Sequence, residues 1–140
     1  MALASPSGSV VVPLFNPDPA AYLPHRYPFL LLDRIIELEP GVRGVARTGV
    51  TVTHGFPQIL MIECVAQLAG IVVAQSEGEG GFLASIDHAE YSGSAAVGDL
   101  LTVSVRLIKS FGRLFMVEGD VVSGADQLLA VQLTLGVGKL

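Results

Sequence analysis

The sequence predicts an α+β domain in which an antiparallel sheet curls around one long central helix. The segment from Pro57 to about Gln75 is apolar on nearly every side, which is typical of a helix that is buried over most of its surface. The segments after it alternate apolar residues with polar or small ones, as half-buried strands joined by short turns do. Such strands can bury a helix that lacks a polar face only by wrapping around it.

A short helix and two strands are predicted before the long helix. The Asn-Pro-Asp-Pro sequence at 16–19 can cap a short helix over Ala20–Leu23, which Pro24 ends. Phe29–Leu38 begins with an apolar run and continues with alternation, which favours a strand. A second strand is predicted where Val42–Val52 alternates imperfectly and the residues up to Thr53 are rich in β-branched side chains.

After the helix, a glycine-rich loop over Ser76–Gly81 and a run of strands are predicted. The strands, each bounded by turn residues, are Phe82–Asp87, Leu101–Leu107, Leu114–Val122 and Leu129–Val137. Turns are expected at Val97–Asp99 and Ser110–Gly112. Residues 1–140 therefore read as one domain, with a loose segment over residues 1–14.

Composition excludes several classes of function. The net charge of -5, with scattered basic residues, argues against nucleic-acid binding. One cysteine, Cys64, permits no intramolecular disulfide and favours a cytoplasmic location. The longest apolar stretch contains Glu63 and Gln67 and is too short to span a membrane, and no metal-ligand spacing is present. Only 15% of the residues are charged, which predicts that a subunit interface covers part of the surface.

Four segments resemble those of a known enzyme family, in the same order along the chain. The segment LPHRYPFLLLDRI at 23–35 resembles the opening motif of the FabZ/FabA-type 3-hydroxyacyl-acyl-carrier-protein dehydratases. Residues 62–70 resemble their central helix, and residues 82–87 and 97–101 resemble the strands that follow. The resemblance implies a hot-dog fold, a homodimer or trimer of dimers with active sites at the dimer interface, an acyl-carrier protein as partner, and no cofactor.

The chain departs from that family just before the helix. The family has a His-Phe-Pro-Gly stretch and then a Met-Pro-Gly-Val helix start, whereas the segment here is several residues shorter. Pro57, Gln58 and Ile59 match the helix start, with Gln58 in place of a glycine, and they are predicted to contact substrate. His54 is the histidine nearest to the helix, and it lies outside the family's register.

The resemblance implies dehydration of 3-hydroxyacyl thioesters, which requires a base at C2 and an acid at the C3 hydroxyl. Glu63 matches the family's helix glutamate and is the candidate acid, because a carboxyl is costly to bury on an apolar helix without a purpose. An ion pair with Arg34, Arg43 or Arg47 is the structural alternative. His54 is the candidate base, or else a capping or exposed loop histidine. A thioesterase, or a non-catalytic binder or partner subunit, remains an alternative function.

The remaining candidates have weaker signals. Gln67 lies four residues after Glu63, on the same helix face, and is a candidate substrate-binding residue. It can orient the carboxyl or hold a water, or else form a structural hydrogen bond across the dimer. His25 is expected to be hydrogen-bonded support, His88 a solvated turn residue and Cys64 a core thiol. Phe82 and Leu83, with Ile86, Phe111 and Phe115, are either acyl-tunnel or core residues. The basic residues predicted to dock the carrier, or else to form a solvated turn, are Arg106, Lys109 and Arg113.

Overall fold

A computed structural model describes residues 15–26, 29–51, 56–74 and 79–139. The predicted loose segment at 1–14, His54, and the residues from Gln75 to Gly78 lie outside the described residues. The helices and strands, in chain order, are a short 3-10 helix Pro19–Ala21, β1 Arg34–Glu39, β2 Arg43–Gly49, α1 Gln58–Val73, β3 Glu79–Tyr91, β4 Leu100–Phe111, β5 Leu114–Ser123 and β6 Asp126–Lys139.

The six strands form one antiparallel sheet in the order β1-β2-β4-β5-β6-β3, and α1 packs against its inner face. Eleven of the 16 helix residues are buried, which confirms the prediction of a central helix surrounded by sheet. Gly119 of β5 lets the helix approach closely, since a Cβ there would lie 2.6 Å from Cγ1 of Val65. No helix within the described ranges is long and apolar enough to cross a membrane.

The strand predicted over Phe29–Leu38 is wrong in its first half, because β1 begins only at Arg34. The backbone from Phe29 to Leu31 forms its hydrogen bonds without a neighbouring strand. The N–H groups of Phe29 and Leu30 donate to the carbonyl of Arg26. Gln67 binds the Phe29 carbonyl and the Leu31 N–H, and the hydroxyl of Thr48 donates to the carbonyl of Leu31. An apolar run alone does not distinguish a strand from an extended segment of this kind.

The strand predicted over Phe82–Asp87 is confirmed in place but is much too short, since β3 runs from Glu79 to Tyr91. β3 lies at the edge of the sheet and pairs only with β6, with register shifts after Leu83 and Ile86. Its side chains from Phe82 to His88 are all exposed, so the alternation that reveals half-buried strands is missing. His88 therefore lies within a strand and not in a turn.

Candidate active site

The candidate site is a polar stripe on the otherwise apolar helix α1. Glu63, Gln67 and Gly70 follow one another at intervals of four and three residues, so they lie on one helix face. The segment that carries the opening motif crosses this face: Leu23 lies near Gly70, and Phe29 and Leu31 bind Gln67. The position of each polar side chain is therefore set by a rigid helix and by the segment that covers it.

Hydrogen bonds fix the orientation of the Gln67 amide. Its Oε1 accepts from the backbone N–H of Leu31 at 3.0 Å, so Nε2 lies on the other side of the amide, where it donates to the carbonyl of Phe29 at 2.8 Å. Nε2 also donates to Oε2 of Glu63 at 2.9 Å. Because Gln67 is only 2% exposed, these bonds satisfy a side chain that is otherwise costly to bury. Oε2 of Glu63 is thus a hydrogen-bond acceptor in this arrangement, and the predicted Glu63–Gln67 pairing is confirmed.

The Glu63 side chain is 41% exposed in the single chain, so the fold of one chain does not bury this carboxyl. The alternative of an ion pair with Arg43 is wrong, since that guanidinium pairs with Glu37 and with Glu39. Nor does Glu63 form an ion pair with Arg34 or Arg47. The segment that covers Gln67 leaves the Glu63 side chain partly exposed.

His25 lies near Glu63, and the sequence analysis did not predict this contact. Its Nε2 lies 3.7 Å from Oε2 of Glu63, and its side chain is 34% exposed. Arg26 holds the turn here by donating to the carbonyls of Leu23 and His25, both at 2.7 Å. The Nδ1 atom of His25 is buried and has no hydrogen-bond partner within the described parts of the chain. The resemblance to the family motif predicted a supporting role for His25. A sequence pattern within one element could not predict its contact with Glu63, because the two residues lie in different elements.

The start of α1 lies against the connection between β3 and β4. Pro57 is the N-cap, one residue before the helix, and not its first residue as predicted. The Nε2 of Gln58 donates to the carbonyl of Gly93 at 3.1 Å, and Ile59 is 59% exposed. The first N–H groups of a helix have no intrahelical acceptor and can bind a partial negative charge. His54 precedes this helix start but lies outside the described residues.

The predicted acyl-tunnel residues fall into two groups. Phe115 belongs to the core at 8% exposure, whereas the side chains of Phe82, Leu83, Ile86 and Phe111 are exposed. Phe82 covers Gly136 of the neighbouring strand, where a Cβ would lie 2.3 Å from the ring. Contact of Phe82 and Leu83 with an acyl chain stays a prediction.

Cys64 is fully buried, and this burial raises the pKa of its thiol to about 12, with the nearby Glu63 carboxylate adding to the shift. A thiol in this state is a core residue and not a nucleophile.

The predicted carrier-docking residues do not form one group of free cations. Arg106 pairs with Glu118 on the neighbouring strand. Arg113 donates to Glu79 at 3.0 Å and to the carbonyl of Val137 at 2.7 Å. Lys109 lies 5.6 Å from the centre of the Phe111 ring and forms no ion pair within the described ranges. Lys109 is therefore the cation of this set that is most available to an acidic partner.

A trough of about 580 Å³ lies on the outer face of the sheet, and Glu63 is not among the residues that line it. Arg43, Arg106, Glu118 and Asp120 line it, and desolvation raises the pKa of Asp120. Among the described residues, no three His, Cys, Asp or Glu side chains converge as metal ligands.

Comparisons with known proteins agree with this fold. The model of the Thioesterase superfamily matches residues 65–130. A protein of Coxiella burnetii named 3-hydroxyacyl-[acyl-carrier-protein] dehydratase FabZ is 38% identical over 135 residues, which cover 84% of this chain and 94% of that protein. A protein of the same name from Geobacillus thermodenitrificans is 31% identical over 132 residues, covering 84% of this chain and 91% of that protein.

Among solved structures, the dehydratase heterocomplex ApeI:P from Xenorhabdus doucetiae has a TM-score of 0.74 at 19% identity, covering 89% of this chain and 93% of that one. At this identity the match supports the hot-dog fold and no more, whereas the sequence relatives cover nearly the whole chain. The chain therefore belongs to the family of 3-hydroxyacyl-[acyl-carrier-protein] dehydratases named FabZ.

Proposed function

We propose that this chain removes water from 3-hydroxyacyl thioesters carried on acyl-carrier protein and yields trans-2-enoyl thioesters. A base takes the proton from C2, the electron pair forms the C2–C3 double bond, and the C3 hydroxyl leaves as water after it receives a proton. Glu63 gives that proton in our proposal, and His54 is the candidate base. The backbone N–H groups after Pro57, at Gln58 and Ile59, bind the thioester oxygen as it gains charge.

One observation carries the assignment of Glu63. Its carboxyl is held by a buried amide that is itself fixed by two backbone groups, yet the Glu63 side chain is 41% exposed. A carboxyl that served only to stabilise the fold would not need both an ordered support and an open side. A general acid needs both, because it must meet the substrate oxygen in a fixed geometry.

We further propose that a second copy of the chain covers the β3 edge. This strand is 13 residues long and presents Phe82, Leu83 and Ile86 as exposed apolar side chains. A long apolar edge strand of this kind invites pairing with another strand. The pairing would give a homodimer, which can assemble further into a trimer of dimers. Replacing Ile86 with lysine is expected to shift the molar mass measured by light scattering to that of one chain.

Acyl-carrier protein is the proposed partner, with Lys109 as the first contact and the paired Arg106 and Arg113 beside it. Carrier proteins of this type are acidic, so a basic contact would accelerate encounter and lose its effect as salt is raised. We also propose a cytoplasmic location, because the sequence has a single cysteine, Cys64, and so no intramolecular disulfide.

The test is turnover of a 3-hydroxyacyl-acyl-carrier protein by the purified chain, with the enoyl product followed by mass. Glu63→Gln keeps the shape of the side chain but removes the acidic proton, so the rate is expected to fall about 10²- to 10⁴-fold. The rate of the His54→Ala variant is expected to fall by a similar factor. Glu39→Gln, which changes an exposed carboxyl on β1 at the opposite edge of the sheet, is the matched control and should retain the full rate.

The other products identify the competing functions. One competing function is that of a thioesterase, which the match to the Thioesterase superfamily model favours. A thioesterase would release free 3-hydroxy acid, and this release would not depend on His54. An intact substrate that stays bound to the wild-type chain would identify a binder or a silent partner subunit. Either result would refute dehydration by this chain.

A further inference from the structure

We infer that His25 is a positioning residue which, together with Gln67, engages one oxygen of Glu63 and leaves the other oxygen to deliver the proton. The inference rests on the proposed dehydration and names a residue that acts on Glu63 and not on the substrate. Both supports approach the same atom: Nε2 of Gln67 lies 2.9 Å and Nε2 of His25 lies 3.7 Å from Oε2.

The surroundings of His25 decide which ring nitrogen carries the proton. Nδ1 is buried without a partner in the described structure, so an N–H at this atom would be a buried donor left unsatisfied. Nε2 faces the Glu63 carboxyl, which favours an N–H at that position. Both conditions select the tautomer with the proton on Nε2, and His25 then directs a donor towards Oε2.

Gln67 donates a hydrogen bond to Oε2 of Glu63, and the ring of His25 lies close to the same oxygen without forming a hydrogen bond to it. Gln67 and His25 come from different elements, the helix and the turn before Phe29, so they restrain Oε2 from two directions. Oε1 receives no hydrogen bond within the described ranges. The proton of the carboxylic acid then resides on Oε1, where it can pass to the C3 hydroxyl.

A change of leaving group tests this division. A 3-fluoroacyl thioester loses the same C2 proton, and its C3–F bond breaks to release fluoride, which leaves with its electron pair and needs no proton. A residue that positions the acid therefore matters for the 3-hydroxyacyl substrate and much less for the 3-fluoroacyl substrate. A residue that supports the base or the fold matters equally for both.

The variants are His25→Leu, which removes the donor, and His25→Gln, which places an amide N–H near the position of Nε2. For His25→Leu we expect kcat on the 3-hydroxyacyl substrate to fall about 10- to 100-fold, the cost of a misplaced catalytic group, with KM nearly unchanged. The fall on the 3-fluoroacyl substrate should be smaller than about threefold, since acid catalysis is not needed there. His25→Gln should recover most of the loss. Equal losses on both substrates, or no loss at all, would overturn the inference.

Nuclear magnetic resonance of histidine labelled with ¹⁵N supplies a readout that needs no turnover. The resonances lost in His25→Gln belong to His25, and they should show a protonated Nε2 and a bare Nδ1 that shift in Glu63→Gln. A proton on Nδ1 would overturn the inference even in an active enzyme. Absence of enoyl product from the wild-type chain would instead refute the proposed function, and the tautomer would still decide the role of His25.

Discussion

Gln67→Leu should destabilise the protein through the segment that covers the helix. The substitution keeps a similar side-chain volume but removes the partners of the Leu31 N–H and the Phe29 carbonyl. Leaving the half-buried N–H unsatisfied costs about 1–3 kcal/mol, and the bond to the more accessible carbonyl contributes about 0.5–1.5 kcal/mol. The free energy of unfolding should therefore fall by about 1.5–4.5 kcal/mol, which is a large share of the stability of a typical domain.

Urea unfolding measures this loss, with all variants at one protein concentration because assembly would shift the midpoint. With a slope of about 2 kcal/mol per molar urea, the midpoint of Gln67→Leu should fall by about 1–2 M. The control is Gln132→Leu, the same change at an exposed position of β6, which should stay within about 0.5 kcal/mol of the wild type. Gln67→Glu should lose more than Gln67→Leu, since it places a carboxylate oxygen against the Phe29 carbonyl and Glu63. Equal midpoints for Gln67→Leu and Gln132→Leu would refute the idea that this amide holds the segment.

Three further predictions concern the rest of the sheet and the core. Gly119→Ala should lower the free energy of unfolding by about 1–3 kcal/mol, because its Cβ would lie 2.6 Å from Cγ1 of Val65; an unchanged urea midpoint would contradict this packing. Hydrogen bonds from two hydroxyls lower the pKa of Asp87, whereas desolvation raises the pKa of Asp120, so the two carboxylates act with opposite signs. At pH 7, where both are ionised when unfolded, Asp87→Asn should lower the urea midpoint and Asp120→Asn should raise it, and both differences should shrink as the pH falls towards 3. Cys64, whose pKa is raised to about 12, should react with iodoacetamide at pH 8 only after urea unfolds the chain, and rapid labelling of the native protein would contradict its burial.

The elements that the sequence predicts well are those whose pattern of apolar residues matches their burial. α1 is buried on nearly every side, and β4 buries Leu101, Val103 and Val105 in alternation, so local patterns report their surroundings directly. β3 has no such pattern, because it is an edge strand whose side chains are exposed on both faces. Its true length follows from pairing with β6, which is a property of the assembled sheet and not of the local sequence.

The contacts in the site show the same difference between what local sequence predicts and what the assembled fold decides. Glu63 and Gln67 are four residues apart on one helix, so their contact follows from helix geometry and could be predicted. His25 reaches Glu63 only because the segment that contains it crosses the helix. Such a crossing produces no regular spacing in the sequence, so this contact could not be predicted. The exposure of Glu63 was unpredictable for a related reason: it depends on where the covering segment ends and not on the apolar character of the helix around it.

The failure of Phe29–Leu31 to form a strand is what makes the site. Had these residues extended β1, their backbone groups would have paired with β2, and Gln67 would have been buried without its two backbone partners at a cost of several kcal/mol. The irregular segment at Phe29–Leu31 and the buried amide of Gln67 therefore stabilise each other, because each supplies the hydrogen-bond partners of the other. Once Gln67 is fixed by that segment, its remaining N–H can point only towards Glu63, so the same contacts that close the core over the helix also orient the carboxyl at the edge of the covering segment.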